Sequence, residues 1–182
     1  MPPRLETARL ILRPFTLSDI DEAYQVLEGH PDVWKYDPGF CRTKLQRANL
    51  IKKYALSNDE NGCGNLAAVL KSTEELIGHI GLQSYRVGEG QQDPIEVELF
   101  YKLGRDFWGK GYAFEACLAM ISFAFNRLHI PHLVTATNSE NSPSIRLMRR
   151  LGFRFYSQPT AWSAEVVGIL EGCPAASPPS SV

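Results

Sequence analysis

Between Ile95 and Asn126 the chain passes from an apolar stretch, IEVELFYKL, through a loop with glycines at 104, 109 and 111, into a long helical pattern. Ala113, Ala116, Cys117, Met120, Ile121, Ala124 and Phe125 recur at intervals of three and four and form one apolar stripe. A strand that feeds a helix through clustered glycines constrains the fold strongly, because the stripe needs a sheet to bury it. The glycines let the main chain turn tightly and approach a ligand closely. The first amides of the helix then face outward with the positive end of the dipole behind them, which suits a phosphate or pyrophosphate. The same glycines also suit a turn that only reverses the chain.

Gly104-x4-Gly109-Lys110 satisfies most of the phosphate-loop pattern of nucleoside triphosphatases. The following residue is Gly111, so the hydroxyl that would ligate Mg²⁺ is missing. The stretches before the loop also read as antiparallel strands, whereas such a loop normally opens a parallel array. The triphosphatase reading is therefore set aside.

The rest of the chain alternates short strands with helices. Arg9 to Pro14 reads as a first strand and Ser18 to Leu27 as a helix with Ser18 as its cap. Gly29 to Phe40 is loop-like, and Thr43 to Ser57 forms a helix with a blurred apolar face. Strands are expected over 66–71, 76–83 and 95–103, with Ser72 to Glu75 as a hairpin turn. After the long helix, 109–126, come a strand at 133–137, a helix at 142–151 ended by Gly152, and strands at 153–156 and 164–170. The segment from 172 to 182 is small, polar and proline-rich, and is expected to be a disordered tail after one domain spanning 1–171.

With 182 residues, 44% of them hydrophobic, the chain suits a single α/β (α+β) domain. A net charge of -1 gives no global field for nucleic acid or an acidic membrane, so a phosphate site must be local. No run is apolar enough for a spanning helix, and MPPRLETARL lacks a signal core, so the expected location is the cytoplasm. Cysteines 41, 63, 117 and 173 lack C-x-x-C spacing and read as reduced thiols. Histidines 30, 79, 129 and 132 form no ligand set, so no metal site is expected.

Asp106-Phe107-Trp108-Gly109-Lys110-Gly111 resembles the diphosphate-binding loop, Gln/Arg-x-x-Gly-x-Gly/Ala, of the GNAT superfamily of N-acetyltransferases. The continuation Trp108 to Ala116 closely matches W-G-K-G-Y-A-x-E-A of the RimJ and RimL type, which acetylates N-termini of ribosomal proteins. The opening Leu5-Glu6-Thr7-x-Arg9-Leu10-x-Leu12-Arg13-Pro14 and the later Asn141-x-x-Ser144…Gly152-Phe153 look like two further signatures of the family, in the expected order. The first position of the diphosphate motif is Asp106 rather than Gln or Arg, so that side chain carries no role over. The resemblance implies a mixed, mostly antiparallel twisted sheet of about six to seven strands flanked by about four helices. It also implies that strands 95–103 and 133–137 splay apart to admit acetyl-coenzyme A.

By that resemblance, main-chain groups from Trp108, Gly109, Lys110, Gly111, Tyr112 and Ala113 bind the diphosphate. Phe100, Tyr101 and Leu103 line the acyl arm, an amide near Phe100 or Tyr101 faces the thioester carbonyl, and Asn141 and Ser144 hold the arm and the departing sulfur. Many relatives carry a tyrosine acid where this chain has Met148, so that mechanism does not transfer and Ser144 or a water must serve. Glu96, Glu98 and Phe100 share one strand face, which makes Glu98 the first choice of base and Glu96 the second. Both carboxylates also suit a solvated face or a cationic substrate.

Arg146, Arg149, Arg150 and Arg154 read as a solvated face or as contacts to the 3′-phosphate of the coenzyme. Trp34 and Tyr36 either line an acceptor pocket or anchor their loop, while Glu89, Asp93 and the segment around Trp162 complete the candidate specificity regions. The acceptor is expected to be a small-molecule or peptide amine, with no metal, nucleic acid or membrane involved, in a monomer or homodimer. A non-catalytic acyl-coenzyme A sensor is the alternative.

Overall fold

The computed structural model describes residues 3–56, 63–86, 94–156 and 166–172. Glu89, Asp93, Trp162, Cys173 and the tail lie outside the described residues. The strands are β1 (Leu5–Glu6), β2 (Leu10–Pro14), β3 (Gly64–Leu70), β4 (Leu76–Arg86), β5 (Ile95–Leu103), β6 (His132–Thr137), β7 (Arg154–Tyr156) and β8 (Val166–Glu171). They form one sheet of eight strands in the order β1-β2-β3-β4-β5-β6-β8-β7. All neighbours are antiparallel except β5 and β6. The helices are α1 (Ile20–Glu28), α2 (Lys44–Leu56), α3 (Tyr112–Asn126) and α4 (Ser142–Arg150).

Two apolar clusters cover the sheet. One gathers Leu10, Leu12, Leu66, Ile80, Leu99 and Leu133 with Ala116, Cys117 and Met120 of α3 and Met148 of α4. The other gathers Ala67, Val69 and Leu76 with Ala23 and Leu27 of α1, Ile51 of α2 and Trp34. Each fully buried Leu or Ile contributes about 1.5–3 kcal/mol, so these clusters are where the sheet gets its stability. The alternation along β5 serves both: Leu99 and Leu103 enter the first cluster, while Phe100 and Lys102 reach His79 and Trp34 on the opposite side.

The expected cap of α1 shifts. A 3-10 turn, Leu17–Asp19, precedes the helix, and the Asp19 carboxylate accepts the Thr16 main-chain N–H at 2.7 Å and the Thr16 hydroxyl at 3.0 Å. Ser18 instead pairs its hydroxyl with that of Thr16, and Asp19 is held to Arg13 by two bonds of 2.7 and 2.8 Å.

Candidate active site

β5 and β6 meet at a single register pair, Glu98 with Val134. The cause lies on their outer edges. β5 is laddered to β4 from Ile95 to Leu103, and β6 to β8 from His132 to Thr137, so each strand follows its own partner. Beyond that pair, towards the loop that starts α3, the two strands share no further register pair among the described residues. The expected splay is therefore present. Across it the Tyr101 hydroxyl donates to Ser144 Oγ at 3.0 Å, linking β5 to α4. Burial drives the Tyr101 hydroxyl pKa well above its ordinary value, with Cys117 acting in the same direction. Asn141 caps α4, accepting the Ser144 N–H at 3.3 Å, and donates to Thr137 Oγ1 at 3.1 Å. Met148 is 1% exposed and belongs to the core.

The glycine loop keeps its side chains to itself. After a 3-10 turn, Arg105–Phe107, the Trp108 indole donates to the Leu103 carbonyl at 2.8 Å, Arg105 stacks on Trp108 and Lys110 on Phe107. Gly109 and Gly111 have φ of +73° and +82°, and a β-carbon at Gly109 would meet nothing within 4 Å. No side chain caps α3 at Gly111, so its first amides stay available to an anion. These are the main-chain groups from Trp108 to Ala113 that the sequence singled out.

One tie was not foreseen. Glu115 accepts the Thr7 hydroxyl at 2.6 Å, the Arg9 main-chain N–H at 2.7 Å and Arg9 Nε at 2.6 Å. Arg9 also donates to the Lys110 carbonyl at 3.0 Å and covers the Tyr112 ring at 4.5 Å. Burial pushes the Glu115 carboxyl up, but the bonds from Thr7 and Arg9 outweigh it and hold the group below its usual range. The opening strand signature and the glycine-loop signature are thus two halves of one contact. Beside it lies a cleft of about 280 Å³ lined by Arg9, Lys71 and Tyr112, and Arg150 stacks on Phe114 at 4.1 Å.

On the other face of β5, Glu98 stands at the apex of the opening. Glu96 Oε2 lies 2.6 Å from His132 Nε2, a contact between β5 and β6 that spacing alone could not reveal. Trp34 is 3% exposed, with its indole N–H on the Leu27 carbonyl at 2.6 Å, and Tyr36 is half-buried beneath Lys35. Lys102 lies over the Trp34 ring and donates to the Asp37 carbonyl. So the main chain of β5 at Glu98 adjoins β6, Tyr101 reaches Ser144 beside the Asn141 cap of α4, and the Phe100 ring lies against His79, while Trp34 packs into the α1–α2 side of the sheet. Cys117 is fully buried, its thiol pushed up by burial, which makes it a poor nucleophile. Among the described residues no cluster of His, Cys, Asp or Glu could hold a metal, and no helix is long and apolar enough to cross a membrane.

Comparison with known proteins fits this geometry. A family model described as an acetyltransferase (GNAT) domain matches residues 9–154. The chain is 32% identical over 157 residues to the uncharacterized N-acetyltransferase p20 of Bacillus licheniformis, covering 82% of each. Among solved structures it resembles the acetyltransferase from Agrobacterium tumefaciens, with a TM-score of 0.76, 27% identity and coverage of 94% of this chain and 95% of that one. It shares its fold with a structure described as a putative ribosomal-protein-serine acetyltransferase from Vibrio cholerae, with a TM-score of 0.74, 22% identity and coverage of 94% and 99%.

Proposed function

This chain belongs to the GNAT family of acetyltransferases, and from that premise we propose that it transfers the acetyl group of acetyl-coenzyme A directly to a primary amine within a ternary complex. The observation that carries the reading is the opening of β5 from β6 beside an uncapped helix start with two left-handed glycines. Bound acetyl-coenzyme A supplies the activated acetyl thioester. The α3 amides and the dipole behind them would hold its diphosphate, and the open Gly109 lets the main chain approach. Arg150, stacked beside the first turn of α3, and Arg9 and Lys71 in the neighbouring cleft supply cations for its remaining phosphate.

Glu98 takes the proton from the incoming ammonium, directly or through a water, so that the nitrogen lone pair can attack. A main-chain amide near Phe100 or Tyr101, on the edge that β6 leaves, donates to the carbonyl oxygen as charge builds there. As the tetrahedral intermediate collapses and the C–S bond breaks, the nitrogen loses its remaining extra proton and the sulfur gains one through water, while Ser144 donates a hydrogen bond to the departing sulfur. Tyr101 does not give up its own proton, because burial raises its pKa far above that of a thiol. It orients Ser144, whose hydrogen is then directed away from Tyr101 and into the opening. The match of Trp108 to Ala116 to the RimJ and RimL type, with the resemblance to the Vibrio cholerae protein, favours a protein N-terminus over a small-molecule amine. The work is proposed to take place in the cytoplasm.

Thermal unfolding tests the cofactor half. Acetyl-coenzyme A at a hundred times its Kd should add about 2.7 kcal/mol, or about 5–10 °C for a domain of this size, and Mg-ATP should add nothing. Thiol release against peptides with free and blocked N-termini tests the transfer. Glu98→Gln should cut kcat by about a hundredfold or more near neutrality. Full activity of that variant across pH would remove Glu98 from the mechanism.

A further inference from the structure

The Trp34 ring is surrounded by cations. Lys102 Nζ lies 3.8 Å from its centroid, the Arg42 guanidinium 4.2 Å and the Arg47 guanidinium 5.2 Å. They come from β5, the loop before α2, and α2 itself. Carboxylates among them are scarce. Glu28 is buried and fully engaged: Oε1 accepts Arg47 Nε at 3.0 Å and Oε2 accepts the Arg42 main-chain N–H at 2.8 Å. It therefore compensates Arg47 and offers nothing to the Arg42 guanidinium. Asp37 reaches Lys102 only at 3.5 Å from a side chain that is 86% exposed.

Two polar atoms here are buried without a hydrogen-bond partner, Arg42 Nη1 and His79 Nε2. His79 is 6% exposed, stands opposite Lys102 in the β4–β5 register, stacks on Tyr54 and meets the Phe100 ring at a tilt. Its Nδ1 is held by Asn65 at 2.9 Å, so the other nitrogen faces away from that bond. Burial, with Arg42 and Arg47 nearby, brings Lys102 down to about 8 despite Asp37. A buried guanidinium N–H without an acceptor, as at Arg42 Nη1, is unfavourable unless an anion completes it. Arg42 itself borders a cleft of about 420 Å³ that it shares with Phe40, Gln46 and Lys53.

We propose that the amine acceptor also carries a carboxylate, which Arg42 and Lys102 bind against Trp34. This inference rests on the acetyltransferase reading and narrows its substrate class. Lys102 follows Phe100 and Glu98 on one face of β5, about 7 and about 13 Å further along at about 3.3 Å per residue. An amine at Glu98 and a carboxylate at Lys102 are then separated by roughly the length of a three- or four-residue extended peptide. A free α-amino acid, whose two groups share one carbon, is too short. The carboxylate is either the C-terminus of a short peptide or an acidic side chain near a longer N-terminus.

The experiment compares Ala-Ala-Ala, its C-terminal amide, and Ala-Ala-Glu amide as acceptors. The wild-type protein should prefer the two carboxylate-bearing peptides to the plain amide by about tenfold to a hundredfold in kcat/KM. Preference for only one of the two tells a terminal carboxylate from a side-chain one. In Arg42→Gln that ratio should fall towards one while the thermal shift produced by acetyl-coenzyme A stays as in the wild type. Lys102→Met, which keeps the aliphatic stem over Trp34, repeats the comparison if Arg42→Gln does not fold. A wild-type ratio near one, or a ratio that survives both substitutions, overturns the proposal and leaves the cations as a clamp on the loop. If no amine is acetylated, calorimetric titration of tripeptide and amide into the coenzyme A complex decides. Tighter binding of the acid then supports the anion site while the transferase reading fails; equal binding ends both.

Discussion

At the residue scale the consequential side chain is Glu115, which the sequence offered only as one letter of a motif. It joins the start of β2 to the first turn of α3 across a separation of 108 residues to Thr7, and no local spacing encodes such a pairing. Glu115→Gln should destabilise the protein by about 1–3 kcal/mol, read by urea unfolding, and weaken acetyl-coenzyme A binding as Arg9 loses its anchor. The sign with pH follows from the lowered carboxyl. Its stabilisation is complete above the ordinary value of 4.5 and fades as pH falls through the folded value, so variant and wild type should converge in acid. Tyr101 gives a second test. Since its hydroxyl stays protonated, Tyr101→Phe should lower kcat less than tenfold and leave the alkaline limb of the rate profile in place. Loss of that limb would show that Tyr101 itself ionises. The residue types at Glu98, Asn141 and Ser144 were readable from the chain; His132 beside Glu96, and Arg42 beside Trp34, were not, because their partners come from other elements.

Among the elements, β5 and α3 were the most legible, since a stripe at helical spacing and a strand on each side of a glycine loop leave few alternatives. α2 was blurred for a physical reason: Arg47 is 1% exposed and occupies a core position by virtue of Glu28, so the apolar face is broken by a charge. Placement of β8 between β6 and β7 was also hidden, because β7 precedes it in the chain and their register depends on long-range pairing. The glycine loop allows a sharp comparison of affinity with stability. Gly109→Ala places a methyl in open space but forces an alanine to φ +73°, at a cost of about 1–2 kcal/mol. Gly111→Ala adds a contact of 3.3 Å with Arg9 Nη2 to a similar backbone cost. Both variants should lose more in acetyl-coenzyme A affinity than in folding free energy. Equal losses would make the loop a turn and nothing more.

For the whole molecule, eight strands in one sheet conceal a division. β1 to β5 form one laddered plate and β6, β8 and β7 another, and among the described residues a single register pair, Glu98 with Val134, joins the two ladders. The family resemblance carried the splay into the sequence reading; the outer ladders that cause it became visible only with the pairing of β4 and β8. A sheet opened from within has two edges in its middle, with the same appetite for an extended chain as any outer edge. Concentrated protein without coenzyme is thus the form most exposed to strand invasion by a neighbour, and filling the opening should lower its light scattering on gentle heating at temperatures below unfolding. On the proposed reading, the groove that would serve catalysis is also where the sheet offers unpaired edges, and a bound coenzyme would guard solubility as well as react.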